Sequence, residues 1–70
     1  MTTAAMMAAP AIPLGPATSA ARLAQLAETG AVAVRRRVAD HANTDRATLL
    51  QLAEDADRTV REHAVRRLAA

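Results

Sequence analysis

The sequence predicts an all-α, solenoid-like protein of about four short helices, arranged as two helical pairs (residues 18–70) behind a flexible N-terminal arm (residues 1–17). Three observations lead to this prediction: part of the chain is written twice, each copy carries apolar stripes at helical spacing, and the first 17 residues have a different composition. At 70 residues and 7.3 kDa, the chain has room for one small domain.

The repeat appears when the sequence is shifted by 26 residues, which places 18–43 over 44–69 and gives nine identities without a gap. The identical pairs are Thr18 and Thr44, Ala21 and Ala47, Leu23 and Leu49, Gln25 and Gln51, Leu26 and Leu52, Ala27 and Ala53, Glu28 and Glu54, Val34 and Val60, and Arg35 and Arg61. Internal repeats with a period of about 20 to 50 residues are typical of solenoids.

Each copy contains two apolar stripes. The first has the spacing i, i+3, i+4 and i+7 and the second i, i+4, i+5 and i+8, so each copy predicts two short helices. The first stripe is Leu23, Leu26, Ala27 and Gly30, repeated as Leu49, Leu52, Ala53 and Ala56; the second is Val34, Val38, Ala39 and Ala42, repeated as Val60, Ala64, Val65 and Leu68. The predicted core is Leu23, Leu26, Leu49, Leu52, Val34, Val38, Val60, Val65 and Leu68.

Helix-boundary residues agree with this division, because polar side chains that can accept a backbone N–H bond stand where helices should begin. The candidates are Thr18 or Ser19 for the first helix, Thr44 or Asp45 for the third, and Asp57, or Thr59 with Glu62, for the fourth. Gly30 suits a left-handed residue that closes the first helix, and Asn43 can serve similarly after the second.

The arm has three prolines and no helical period, which favours a flexible or extended segment. The alternative is a docking peptide that inserts Met6, Met7, Ile12 and Leu14 into a partner.

Composition excludes several classes of function. The chain has no cysteine, which excludes a disulfide framework, a thiolate metal site and a cysteine nucleophile and fits a reducing cytoplasm. The absence of aromatic residues removes the stacking platforms of single-strand binders. All nine basic residues are arginine, which with abundant alanine is typical of a GC-rich, bacterial genome. No apolar run reaches the length of a membrane span, and the N-terminus lacks the positive segment of a secretory signal.

The segment VRRRVADHANTDRATLLQLAEDADRTVR, residues 34–61, resembles the leucine-rich repeat variant family. The elements that match its pattern are Val34 and Arg35, Val38 and Ala39, His41, Asn43 and Thr44, Leu49, Leu52 and Ala53, Asp55 and Asp57, and Val60 and Arg61. The resemblance implies a right-handed superhelix, similar in plan to HEAT-type solenoids, that acts as a scaffold or binding surface. The chain departs from the family in having Ala42 and Asp45 where prolines are usual, only two repeats, and no cysteine cluster for an iron–sulfur domain.

The same resemblance implies a structural ladder in which an aspartate of the inter-helix turn binds arginines of the second helices. Here Asp55 would face Arg35, Arg61 or both, with Thr29 in the aspartate position of the first repeat. A carboxylate favours a helix N-terminus, and a guanidinium offers it two parallel donors. No nucleophile or metal accompanies the pair, so we expect it to be structural.

The arginines are also the candidate binding residues. Those of interest are Arg35, Arg36, Arg37, Arg61, Arg66 and Arg67, which could form a basic stripe for phosphates. Consecutive residues on a helix point in different directions, and acids interrupt the set, so a solvated, partly ion-paired surface is the preferred interpretation.

The sequence offers no catalytic, cofactor or metal site. His41 and His63 do not share the 26-residue register and lack further ligands, and Ser19 has no acid–base partner. We therefore expect a non-enzymatic module that binds a protein partner or itself, without a cofactor, a small-molecule substrate or a membrane. The alternative is a small arginine-rich protein that binds nucleic acid.

Overall fold

A computed structural model describes residues 14–70, and within them it contains four helices and no strand. In chain order the helices are α1 (Ala20–Thr29), α2 (Val32–Asp40), α3 (Arg46–Leu52) and α4 (Arg58–Ala69). The predicted all-α class is therefore confirmed for this part of the chain. Of the predicted arm, residues 14–17 are described, and residues 1–13, including Met6, Met7 and Ile12, lie outside the described part of the chain.

Three of these helices begin with a side-chain cap. In each, an oxygen of the cap residue accepts a hydrogen bond of 2.9 to 3.1 Å from the backbone N–H three residues later; the caps are Ser19, Asp45 and Asp57. The cap of α2 is Ala31, which makes no such bond. The structure thus decides between the cap residues that the sequence left open, and Glu62 binds Arg58 instead of closing a capping box.

The caps repeat at the period of the sequence. Ser19 and Asp45, which begin α1 and α3, are 26 residues apart, and so are Ala31 and Asp57, which begin α2 and α4. Corresponding helices therefore begin in register, although α3 is three residues shorter than α1 and α4 three longer than α2.

The prediction of a left-handed Gly30 is wrong, since its φ of −73° and ψ of 154° are extended. Glycine is required there for space. A Cβ at this position would lie 2.6 Å from the carbonyl oxygen of Leu26 and 2.9 Å from Cγ1 of Val34. The turn between α1 and α2 is so tight that a side chain at position 30 would overlap Leu26 and Val34.

Asn43 is not a left-handed cap either, because no residue within 14–70 has a positive φ and α2 closes at His41. Its amide instead donates to the carbonyl oxygens of Pro16 (3.2 Å) and Thr18 (2.9 Å). The backbone N–H of Gly15 donates to Thr18 Oγ1 at 2.9 Å, and His41 Nε2 lies 2.7 Å from the carbonyl oxygen of Gly15. Residues 14–18 thus form a turn held against the end of α2.

The core lies between the four helices and consists of leucine, valine and alanine. Its buried apolar residues are Leu23, Leu26, Ala27, Val38, Ala39, Leu49, Leu52, Val60 and Ala64, with Leu14, Val34, Ala53 and Leu68 partly buried against them. Val65 is 52% exposed, so its predicted place in the core is wrong. On α4 the buried pair is Val60 and Ala64, one turn apart, and Val65 lies about 100° farther around the helix.

The helices pack pair against pair. Corresponding helices are neighbours, α1 with α3 and α2 with α4, and each helix also contacts its partner in the same pair. No Cα atom of α1 lies within 8 Å of a Cα atom of α4. None of the helices between residues 14 and 70 combines the length and apolar character needed to cross a membrane.

Candidate interaction surface

Asp55 joins the two helical pairs. It lies in the turn between α3 and α4, and its carboxylate accepts two hydrogen bonds from Arg35 of α2, from Nε to Oδ2 at 2.7 Å and from Nη2 to Oδ1 at 3.0 Å. The side chains are only 22% and 10% exposed. The Arg35 guanidinium holds the pKa of Asp55 below its usual range, because two parallel charge-assisted bonds stabilise the carboxylate.

A second pair lies beside the first. Arg36 donates from Nε and Nη2 to the two carboxylate oxygens of Asp57, at 3.2 and 3.1 Å. The same carboxylate caps α4 by accepting the N–H of Val60. These bonds lower the pKa of Asp57 to about 2, the Arg36 guanidinium having the largest effect. Two neighbouring arginines of α2 therefore hold two aspartates of one turn.

Arg35 also makes a bond inside its own pair, and Arg61 repeats it. Nη1 of Arg35 donates to the carbonyl oxygen of Gly30 at 2.9 Å. Nη1 of Arg61 donates to the carbonyl oxygen of Ala56, the residue in register with Gly30, at 3.1 Å and to that of Asp55 at 2.8 Å. Of the two arginines available to Asp55, Arg35 binds its carboxylate and Arg61 binds its backbone.

The two arginines differ in their remaining donors. Nε and Nη2 of Arg35 hold the carboxylate supplied by the second pair. Among residues 14–70, Nε and Nη2 of Arg61 have no hydrogen-bond partner. The bonding pattern is thus complete at Arg35 and open at Arg61.

Apolar residues around Arg61 show the same difference. Ala27 and Ala39, in the first pair, are 4% and 0% exposed and belong to the core. The residues in register with them, Ala53 and Val65, are half-buried and 52% exposed. Together with Arg61 they lie in an open groove of about 610 Å³, whose lining is Ala53, Arg58, Arg61, Glu62, Val65 and Arg66. We call this groove the end groove.

The other candidate arginines do not form one stripe. Arg67 donates from Nη1 to the carbonyl oxygens of Ala39 and His41, both at 2.9 Å, and so ties the end of α4 to the end of α2. Arg37 lies on a separate depression beside Leu14, while Arg66 lies on the end groove. Four of the six candidates, Arg35, Arg36, Arg61 and Arg67, are bound to other groups of the chain. Arg37 and Arg66, which make no such bond within residues 14–70, lie on different surfaces.

The histidines have local roles. The N–H of Asn43 donates to His41 Nδ1 at 3.0 Å, which fixes the ring at the end of α2. His63 Nδ1 lies 2.8 Å from Oδ1 of Asp40 without the alignment of a hydrogen bond. No group of three or more metal-binding side chains occurs within the described part of the chain.

Sequence reasoning did not identify the Arg36–Asp57 pair or the role of Arg67. The 26-residue register contains no signal for the first, because the residues in register with Arg36 and Asp57 are Glu62 and Ala31, which differ from them in chemistry. No sequence signal identifies the bonds of Arg67, since its acceptors are backbone carbonyls at the end of another helix.

Comparison with known proteins adds no further assignment: no family model, curated protein or solved structure matches this chain.

Proposed function

We propose that the chain is a protein-interaction module made of two helical repeats, which binds a protein partner or a second copy through the end of its stack. In this proposal the pairs form a short right-handed solenoid, as the resemblance to the leucine-rich repeat variant family implies. The in-register caps and the side-by-side packing of corresponding helices support it.

The observation that carries the proposal is the exposure of Val65 beside Arg61. In solenoids each repeat covers its neighbour, and terminal repeats need polar outer faces to remain soluble. Here the outer face of the second pair retains an apolar side chain that is 52% exposed. A bound protein would remove that surface from water, which is worth about 25 cal/mol per Å² of apolar area.

Nucleic-acid binding is the competing hypothesis, and it depends on the arginines. Arg35 and Arg36 already hold carboxylates, and Arg67 holds carbonyl oxygens. A surface that binds phosphates would need several free guanidinium groups side by side, and its affinity would fall steeply with salt. The ion pairs therefore favour the protein-binding hypothesis.

Affinity capture with two matched variants tests the proposal. Val65→Glu places a charge in the end groove, whereas Leu50→Glu changes a side chain of equal exposure (51%) that does not line it. Circular dichroism first checks that both variants fold, and sedimentation velocity shows whether the captured partner is a second copy. We expect the wild type and Leu50→Glu to retain the same partner and Val65→Glu to lose it. Equal capture by all three proteins would contradict the proposal.

A further inference from the structure

The contact between the two helical pairs shows what kind of group the end groove can receive. At Arg35, one nitrogen binds a carbonyl oxygen of its own pair while the other two hold a carboxylate of the next pair. That carboxylate comes from Asp55, in an inter-helix turn. This contact is a template for binding at the end groove: an arginine is held by a backbone carbonyl of its own pair and receives an aspartate from the next pair.

Arg61 is prepared in the same way. Its Nη1 makes the bond to Ala56 that corresponds to the bond from Arg35 to Gly30, so its guanidinium is already held in place. Its Nε and Nη2 have no partner among residues 14–70. Because an ordered arginine loses little further freedom on binding, a second carboxylate would meet a pre-organised pair of donors.

The charges around Arg61 favour an anion. The lining of the end groove includes three arginines and one acid, Glu62, which is engaged by Arg58 at 2.9 Å. Arg61 and Arg66 are left without an acidic partner in the groove. The apolar part of the lining is Ala53 and Val65, the counterparts of Ala27 and Ala39, which are buried.

We propose that the end groove binds an inter-helix turn of another protein, which places an aspartate or glutamate on Nε and Nη2 of Arg61 and small apolar side chains over Ala53 and Val65. The partner's side chains there are small because Val65 is larger than Ala39, its counterpart, and leaves less space. This inference rests on the proposed interaction function and names the surface and the chemistry of the partner.

A second copy fits the groove less well in either orientation. In a head-to-tail stack, the residue in register with Asp55 is Thr29, which is uncharged and whose hydroxyl already donates to the carbonyl oxygen of Gln25. In a two-fold dimer, the groove would face its own arginines across the axis. Like charges brought together at an interface are unfavourable.

Nucleic acid fits less well too. A phosphate could replace the carboxylate on Arg61, but it would leave Val65 exposed to water. The chain has no aromatic side chain on which a base could stack. A carboxylate beside an apolar surface satisfies both parts of the groove.

The test adds the missing neighbour to the full chain. Residues 44–69 are duplicated directly after Ala69, so that a copy of the second pair follows the groove in register. The matched control carries Asp55→Asn in the duplicated copy only, and a third protein carries Arg61→Gln in the extended chain. Urea unfolding measures stability, and the Nε–H signal of Arg61 is followed by NMR.

We expect the extension to raise the urea midpoint in a single transition and to shift the Arg61 Nε–H signal. Asp55→Asn in the copy should lose most of that rise, and it should cost much less in the extended chain that carries Arg61→Gln than in the one that keeps Arg61, because the two changes share one interaction. A midpoint and an Nε–H signal that do not depend on the copied aspartate would overturn the inference, as would separate unfolding of the added pair. Either result would leave the general interaction function open, since capture through Val65 does not require a carboxylate.

Two measurements on the natural chain examine the other occupants. If sedimentation velocity shows a dimer that Val65→Glu abolishes, the occupant of the end groove is a second copy of the chain and the inference is overturned. If the chain binds a short DNA duplex with an affinity that falls steeply with salt, and Arg61→Gln abolishes this binding, the occupant is nucleic acid and the inference is likewise overturned. A monomer without DNA affinity, together with the aspartate-dependent gain in the extended chain, supports a carboxylate-bearing protein segment.

Discussion

At the scale of single residues, the turn between α3 and α4 holds the two helical pairs together through its aspartates. Asp55 and Asp57 each accept two bonds from an arginine of α2. Asp57 also caps α4, and Asp55 Oδ1 accepts the N–H of Asp57 at 2.9 Å. Both carboxylates therefore stabilise the contact between the pairs and the start of the last helix in their charged form.

This arrangement predicts that acid destabilises the protein. The pKa of Asp57 is about 2 when folded, against 3.8 ordinarily, so the unfolded chain binds its proton first as the pH falls. The stabilisation is complete above about pH 4 and is lost as the pH falls through about 2. Asp55, whose pKa is also lowered, adds to the same slope.

Urea unfolding at several pH values between about 5 and 2 measures this loss. The variant Asp57→Asn should be less stable than the wild type near neutral pH and should lose less stability in acid. A wild-type midpoint that stays constant across this range would show that the ion pairs do not contribute.

The sequence identified some of these residues but not all of their contacts. The pairing of Asp55 with one of two arginines followed from the resemblance to a known repeat family, and the register places only Arg35 and Arg61 at corresponding positions. Which arginine receives the carboxylate depends on how far one pair is translated over the other, and a sequence does not contain that distance. The sequence indicated a left-handed backbone at Gly30, whereas glycine is needed there because a Cβ would overlap Leu26 and Val34. That overlap depends on tertiary packing.

At the scale of the helices, N-caps set the boundaries. Ser19, Asp45 and Asp57 each satisfy a backbone N–H that has no partner inside its helix. Helix α2 begins at Ala31 without this bond. Because Ala31 is in register with Asp57, replacing Ala31 by aspartate would give α2 the kind of N-cap that α4 has.

We predict that Ala31→Asp stabilises the protein and Ser19→Ala destabilises it, each by about 0.5 to 2 kcal/mol, the usual range for gaining or losing an N-cap. Ala31 is exposed and extended, so an aspartate fits without a steric cost. Chemical unfolding of the two variants measures both changes. A loss of stability in Ala31→Asp would mean that the α1–α2 turn cannot present the new carboxylate to α2.

Helix positions were predictable from apolar spacing, whereas the rotation of α4 was not. Val60, Ala64 and Val65 all belong to a stripe wide enough to face a core. The structure buries Ala64 and leaves Val65 52% exposed. The sequence thus predicted the helix correctly and the burial of Val65 incorrectly.

At the scale of the whole molecule, the two helical pairs differ in whether their corresponding arginines, Arg35 and Arg61, hold a carboxylate. In the first pair, Arg35 holds a carboxylate of the second pair, and Ala27 and Ala39 are buried. The second pair carries the same arginine with open donors and the same positions exposed. The core holds leucine, valine and alanine and no aromatic residue, so each covered surface contributes noticeably to a small stability.

The most direct measurement is hydrogen exchange at the arginine Nε–H groups of the natural chain, followed by NMR with ¹⁵N labelling. Arg35→Gln and Arg61→Gln assign the two signals. The Nε–H of Arg35, which donates to Asp55, should exchange slowly and become fast in Asp55→Asn. The Nε–H of Arg61 should exchange fast in both proteins. Equal protection of the two groups, or protection of Arg61 alone, would contradict the central claim that the contact pattern is closed at Arg35 and open at Arg61.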